Sequence, residues 1–183
     1  MTIPTLTGTY KKRITVIKLK QTYSIMINAL KLAEEEYGSG FNLADKLPAS
    51  GGFSPRYSEK VFDEYFTPHL KVNFKYSDKE CTKLSKMYPQ KNPKDPYSDS
   101  NHACYNLMNG TSIMFGTGKP KANEAYYISF MVIINPNQKY KIIGRDAFGF
   151  ALKNGDNGWY IGTIVRVRYP ELKREDILKA QNC

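Results

Sequence analysis

Two histidines, His69 and His102, and three cysteines, Cys81, Cys104 and Cys183, hold most of the reactive chemistry in this chain. His102-Ala103-Cys104 would set an imidazole and a sulfur on one face of a strand, with Cys81 as a third ligand. Zinc asks for a fourth ligand and usually a Cys-x-x-Cys spacing, and both are missing. A cysteine–histidine nucleophile pair needs a further group to orient the histidine, and none is identifiable. His69 follows Thr67-Pro68 and reads as a surface or satisfied core residue. An odd number of cysteines leaves at least one unpaired within the chain. Cys81 and Cys104 sit in loop-rich sequence, and a disulfide closing that loop would stabilise by roughly 3 kcal/mol in the simple chain-entropy model. Connectivity and oxidation stay open at this level.

Phosphate and metal loops are no better represented. GTGKP at 116–120 is close to a phosphate loop, but Ile113 stands at its first glycine and Pro120 replaces the magnesium-binding hydroxyl. No GxSxG, HExxH or GxGxxG occurs. Asp156-Asn157-Gly158 lacks the full acidic pattern of a calcium loop and reads as a hairpin turn. Asn109-Gly110-Thr111 matches a glycosylation sequon. The residues therefore carry no catalytic constellation, no metal set and no cofactor box.

Charge is the stronger signal. The formal net charge of +10 over 183 residues favours anionic partners such as nucleic acid, phospholipid or acidic polysaccharide. Arg166, Arg168, Lys173 and Arg174, with Tyr160 and Tyr169, form the best local cluster for phosphate neutralisation and stacking. A solvated sheet face is the bland alternative. No run reaches the roughly 18 apolar residues of a membrane span. Met1 to Leu6 has no leader-like basic and apolar regions, so a soluble protein is expected.

The elements that must position these residues divide the chain in two. Val16, Leu19, Tyr23, Met26, Leu30, Ala33 and Tyr37 recur at helical spacing, and Ile14, Ile17 and Ile27 widen the stripe. No proline or glycine interrupts residues 9–37, and Gly38 follows as a C-cap. About 30 helical residues would span ~45 Å, more than a compact domain of this size covers. The helix is basic at its start (Lys11, Lys12, Arg13) and acidic at its end (Glu34, Glu35, Glu36), opposite to the preference of the helix dipole. Ser58 is placed to cap a short helix to Phe66, with Val61, Phe62, Tyr65 and Phe66 inward. Residues 75–102 read as a long irregular loop. Residues 111–115, 125–134, 146–153 and 158–169 read as strands, and 171–180 as a short terminal helix. The sum is α+β: one long helix covering a mostly antiparallel sheet.

Three patches resemble the type IV pilin and pseudopilin superfamily. The first runs through Pro4, Tyr10-Lys11-Lys12, Leu19-Lys20, Tyr23-Ser24, Ala29-Leu30, Ala33-Glu34 and Gly38. The second comprises Leu70-Lys71, Cys81, Cys104, Leu107 and Gly110, and the third Gly144, Asp146, Phe148 and Phe150. The resemblance implies one pilin-like domain over 1–183, with an N-terminal helix at 7–38, an αβ-loop region at 39–107, and a sheet with C-terminal segment at 108–183. It implies a non-enzymatic filament subunit whose partners are other pilin-like subunits. It also implies a membrane anchor preceding residue 1, and passage from the inner membrane to a periplasmic or extracellular filament. Leu6, Tyr10, Ile14 and Ile17 become the subunit contacts. Tyr23, Met26, Leu30, Ala33 and Tyr37 become the residues packed on the chain's own sheet. Cys81 and Cys104 become a disulfide pair. The alternative expectation is a basic binding module, a minor pilin that captures DNA or another anionic ligand.

Overall fold

A computed structural model describes residues 3–38, 55–88, 102–118, 127–139, 141–155 and 158–163. Helix α1 runs unbroken from Ile3 to Tyr37. It stops where Gly38 takes a positive φ of 85°, a backbone setting that costs a glycine little. Helix α2 spans Pro55–Tyr65, one turn earlier than the expected cap at Ser58. Pro55 explains the early start, because a proline at the first helical position lacks only an N–H that would be unpaired there anyway. Ser58 lies buried inside the helix, and its hydroxyl accepts a hydrogen bond from the Thr117 amide at 3.0 Å.

Strand β1 is Val72–Lys75 and ends where the long loop was expected to begin, and that region holds two elements: helix α3, Asp78–Leu84, and the short strand β2, Met87–Tyr88. Helix α3 begins with a reciprocal cap: the Ser77 amide donates to Glu80 Oε2 at 2.9 Å, and the Glu80 amide donates back to the Ser77 side chain, whose hydroxyl also donates to that carboxylate at 2.6 Å. That local device is legible as Ser-x-x-Glu in the sequence. Beyond it come β3 (His102–Leu107), β4 (Ser112–Gly118), β5 (Tyr127–Ile133), β6 (Lys141–Ile142), β7 (Ala147–Gly155) and β8 (Gly158–Thr163). The sheet thus begins at residue 72, earlier than the expected boundary at 108.

Six strands form an antiparallel sheet in the order β1-β3-β4-β5-β7-β8. The architecture is α+β, with the long helix on the sheet. Side-chain alternation gives the sheet two apolar faces. Tyr105, Ile113, Phe115, Phe130, Phe150 and Ile161 point to the face covered by α1 and α2, where Met26, Ala29, Leu30, Ala33 and Phe62 complete the main core. Phe62 stacks on Tyr105 at 4.1 Å between ring centroids and tilts against Phe115 at 5.0 Å. Cys104, Met114, Ile133 and Ala147 belong to a second, smaller core with Cys81 and Leu84 of α3. The parallel pair β2–β6 sits there, with Met87 opposite Lys141. Helices on opposite sheet faces explain why neither strand face reads as wet.

Two joints fix the main helix. The Trp159 amide donates to Glu34 Oε1 at 2.7 Å, tying the end of α1 to the start of β8. Midway, Thr22 donates to the Lys18 carbonyl at 2.9 Å and accepts from Asn109 Nδ2 at 3.0 Å. Asn109 Oδ1 in turn accepts from the Thr111 amide and hydroxyl, and Gly110 supplies the positive φ of 78° that the β3–β4 turn requires.

Candidate functional site

Among the described side chains of α1, most of those before Thr22 are exposed, and the half after it lies on the core. Met26, Ala29, Leu30 and Ala33 are buried, and Tyr23 reaches Phe150 with ring centroids 5.6 Å apart. Tyr37 was expected on the sheet; it is 42% exposed and meets Tyr65 of α2 edge-on at 4.9 Å. Earlier in the helix, Tyr10 is 65% exposed and Ile17 50%. Ile14 is half-buried. Leu6 lies in the helical backbone, and its side chain is outside the described residues.

Helical geometry corrects one expectation. At 100° per residue, Ile17 stands about 180° from Met26, so it does not widen the core stripe. It belongs to a second stripe on the far side of α1. Tyr10 and exposed Ile17 lie on that side with half-buried Ile14 between them, and exposed Leu32 follows further along, at 3- and 4-residue spacing through Gln21 and Asn28, while Ile25 packs against the main core. Val16, expected in the core stripe, lies off both and is 47% exposed. A helix with apolar stripes on opposed faces is built to lie between two surfaces. Its own sheet is one of them.

Charge is graded along the axis of α1. Lys11, Lys12 and Arg13 are exposed at one end, and Glu35 and Glu36 at the other. Glu36 Oε2 lies 3.3 Å from His69 Nε2, outside hydrogen-bond geometry.

On the opposite side of the sheet, Cys81 of α3 and Cys104 of β3 are joined by a disulfide, with Cα atoms 5.4 Å apart. That bond removes both sulfurs from the nucleophile and zinc readings. His102 shares the strand face of Cys104, as expected, and lies across from Gly116. A Cβ at Gly116 would come within 2.7 Å of the imidazole, so the ring occupies space that glycine leaves free. The sequon at Asn109 has a structural use, since both ends of its side-chain amide are hydrogen-bonded. The basic cluster Arg166, Arg168, Lys173 and Arg174, the terminal helix and Cys183 lie outside the described residues.

Next to the disulfide-bonded helix α3 is a cleft of ≈ 380 Å³ lined on its other side by Pro136, Gln138, Lys139 and Lys141. Lys83, Lys86, Lys139 and Lys141 line it with Tyr76 and Leu84. Lys141 is 2% exposed, and its ammonium donates to the Gln138 carbonyl at 2.8 Å. Burial pushes its pKa down, and the Asp146 charge partly restores it. Asp146 is itself held by the Ile142 amide at 3.0 Å and by Arg145. The available signal in the sequence was the local run of Lys79, Lys83 and Lys86, of which the first two lie in the capped helix and Lys86 just beyond its end.

A third polar group joins α2 to the sheet edge. Tyr105 donates to Asp63 at 2.8 Å, and Lys75 pairs with Glu59 and Asp63. Burial, and then the Asp63 hydrogen bond, hold the Tyr105 hydroxyl far above the ordinary phenol range. For Lys75, burial acts downward, but the bond to Glu59 and the Asp63 charge outweigh it and raise the pKa. These groups face one another where α2 meets the sheet edge.

A family model matches residues 5–161, and its description is a family of unknown function, DUF6613. No curated protein and no solved structure matches the chain.

Proposed function

We propose that this chain, which belongs to the DUF6613 family, is a non-enzymatic structural subunit that assembles through α1 into a filament of the type IV pilus or secretion-pseudopilus kind. One observation carries the reading: Tyr10 and Ile17, with half-buried Ile14 between them, leave apolar surface exposed on a helix whose other stripe is already packed. The occupant is a second copy of the chain, presenting its own α1.

Charge complementarity supports that choice. Lys12 and Glu35 are 23 positions apart, about 35 Å along the axis. Sliding one copy by that distance sets its basic end beside the acidic end of the next. Such a contact is head-to-tail and does not close, which is how a filament grows. The disulfide fits an oxidising compartment outside the cytoplasm. The patches that resemble pilins add to the same reading. The lysine-lined cleft favours a second, compatible role in recognising an anion.

Charge reversal tests the seam. Chains carrying Lys11→Glu, Lys12→Glu and Arg13→Glu should sediment as monomers and fail to cross-link. Mixing them with chains carrying Glu35→Lys and Glu36→Lys should restore cross-linking. Introducing Lys12→Cys together with Glu35→Cys into a Cys183→Ser background, so that each chain carries a thiol at both ends of the proposed register, should yield disulfide-linked multimers on oxidation. Monomers alone in every arm, at concentrations where the parent chain is also monomeric, would sink the proposal.

A further inference from the structure

The cleft beside α3 has the make-up of a ligand site. Its volume of ≈ 380 Å³ falls at the small end of the range for small-molecule pockets. Its lining carries four ammonium groups against one carboxylate, Glu80. That carboxylate is already engaged by the Ser77 amide and hydroxyl, which hold its pKa below the usual range. The acidic group therefore serves the helix cap, and the lysines set the sign of the cleft.

The rest of the wall is apolar. Tyr76, Leu84 and Pro136 contribute carbon surface alongside the lysine stems. The Tyr76 hydroxyl is tied to Ser112 Oγ at 2.9 Å, which fixes the ring in place. Position is fixed from both sides as well. Lys83 lies in α3 and Lys86 two residues past its end, and the disulfide anchors that helix to β3. Lys141 is set by the β2–β6 pairing and by its bond to the Gln138 carbonyl. An ammonium has three donors, so that one bond leaves two more for a ligand.

We infer that this cleft binds a compact anion carried on an apolar or aromatic body, with Lys83, Lys86, Lys139 and Lys141 around the anion and Tyr76 and Leu84 against the body. An organic phosphate monoester is the simplest member of that class. A cleft of one sign with low-dielectric walls concentrates such ions. The inference is independent of filament assembly, because it rests on the sheet face opposite α1.

Phenyl phosphate titrated into the labelled, full-length chain at low salt, followed by amide NMR, tests it. Saturable shifts are expected in α3 and residues 136–141. Inorganic phosphate should bind more weakly, and benzyl alcohol should give no saturation. Lys83→Glu with Lys86→Glu, both exposed positions, should weaken phenyl phosphate by about tenfold or more, the order expected for lost charged hydrogen bonds. Lys60→Glu with Lys71→Glu makes the same change in net charge at exposed positions elsewhere and should leave affinity unchanged. Equal weakening by that control pair, equal affinity for inorganic phosphate, or no saturable shift in α3 at millimolar probe each overturns the inference.

Discussion

The two halves of α1 have similar residues and opposite surroundings. After Thr22, isoleucine, methionine and leucine press into a core of aromatic rings; before it, tyrosine, isoleucine and valine face outward. Both halves are helical by the same local physics, so helix formation says nothing about what covers a face. The lesson is that a long apolar helix has to be read face by face. A single stripe implies one neighbour, and two opposed stripes imply two.

The comparison can be broken at three depths. The largest effect belongs to the buried half. Leu30→Ala should lower unfolding free energy by about 2–5 kcal/mol, read from denaturant melts, because its site cannot collapse around the lost atoms. The boundary comes next. Thr22→Val keeps the shape but removes the acceptor for Asn109 Nδ2 at a position that is 0% exposed, and should cost about 1–3 kcal/mol in the same melts. The smallest effect belongs to the outer half. Ile17→Ser should change the stability of the monomer by no more than about 0.5 kcal/mol, as surface substitutions do. It should still abolish cross-linking between copies. A large loss of monomer stability at Ile17 would show that the chain itself covers the outer stripe, and the contrast between the halves would vanish.

Much of the fold was legible in the residues. The uninterrupted run from 9 to 37, the inward set Val61, Phe62, Tyr65 and Phe66, and four of the strands follow from periodicity and turn chemistry. What escaped had physical causes. Strand β3 (HACYNL) is buried on both faces and so shows no polar alternation, and its histidine and asparagine disguise it as loop. Helix α3 is seven residues long, too short for a 3.6-residue period to register, though its Ser77–Glu80 cap was available. Ser58 was read as a cap because serine is usually one, while its partner, Thr117, is 59 positions away. The candidate surfaces divide likewise. Tyr10, Ile14 and Ile17 were found from the helix pattern together with the pilin resemblance. The cleft joins α3 to residues 136–141 across more than fifty positions, a proximity that only folding creates.

The bond between the Trp159 amide and Glu34 has a practical corollary. Trp159 is the only tryptophan in the chain, and it stands half-buried where the end of the long helix meets the last described strand. Its emission is therefore an unlabelled gauge of whether that helix is seated. Red-shifted fluorescence while far-ultraviolet dichroism stays intact would mark a rod that has lifted from its bed without melting.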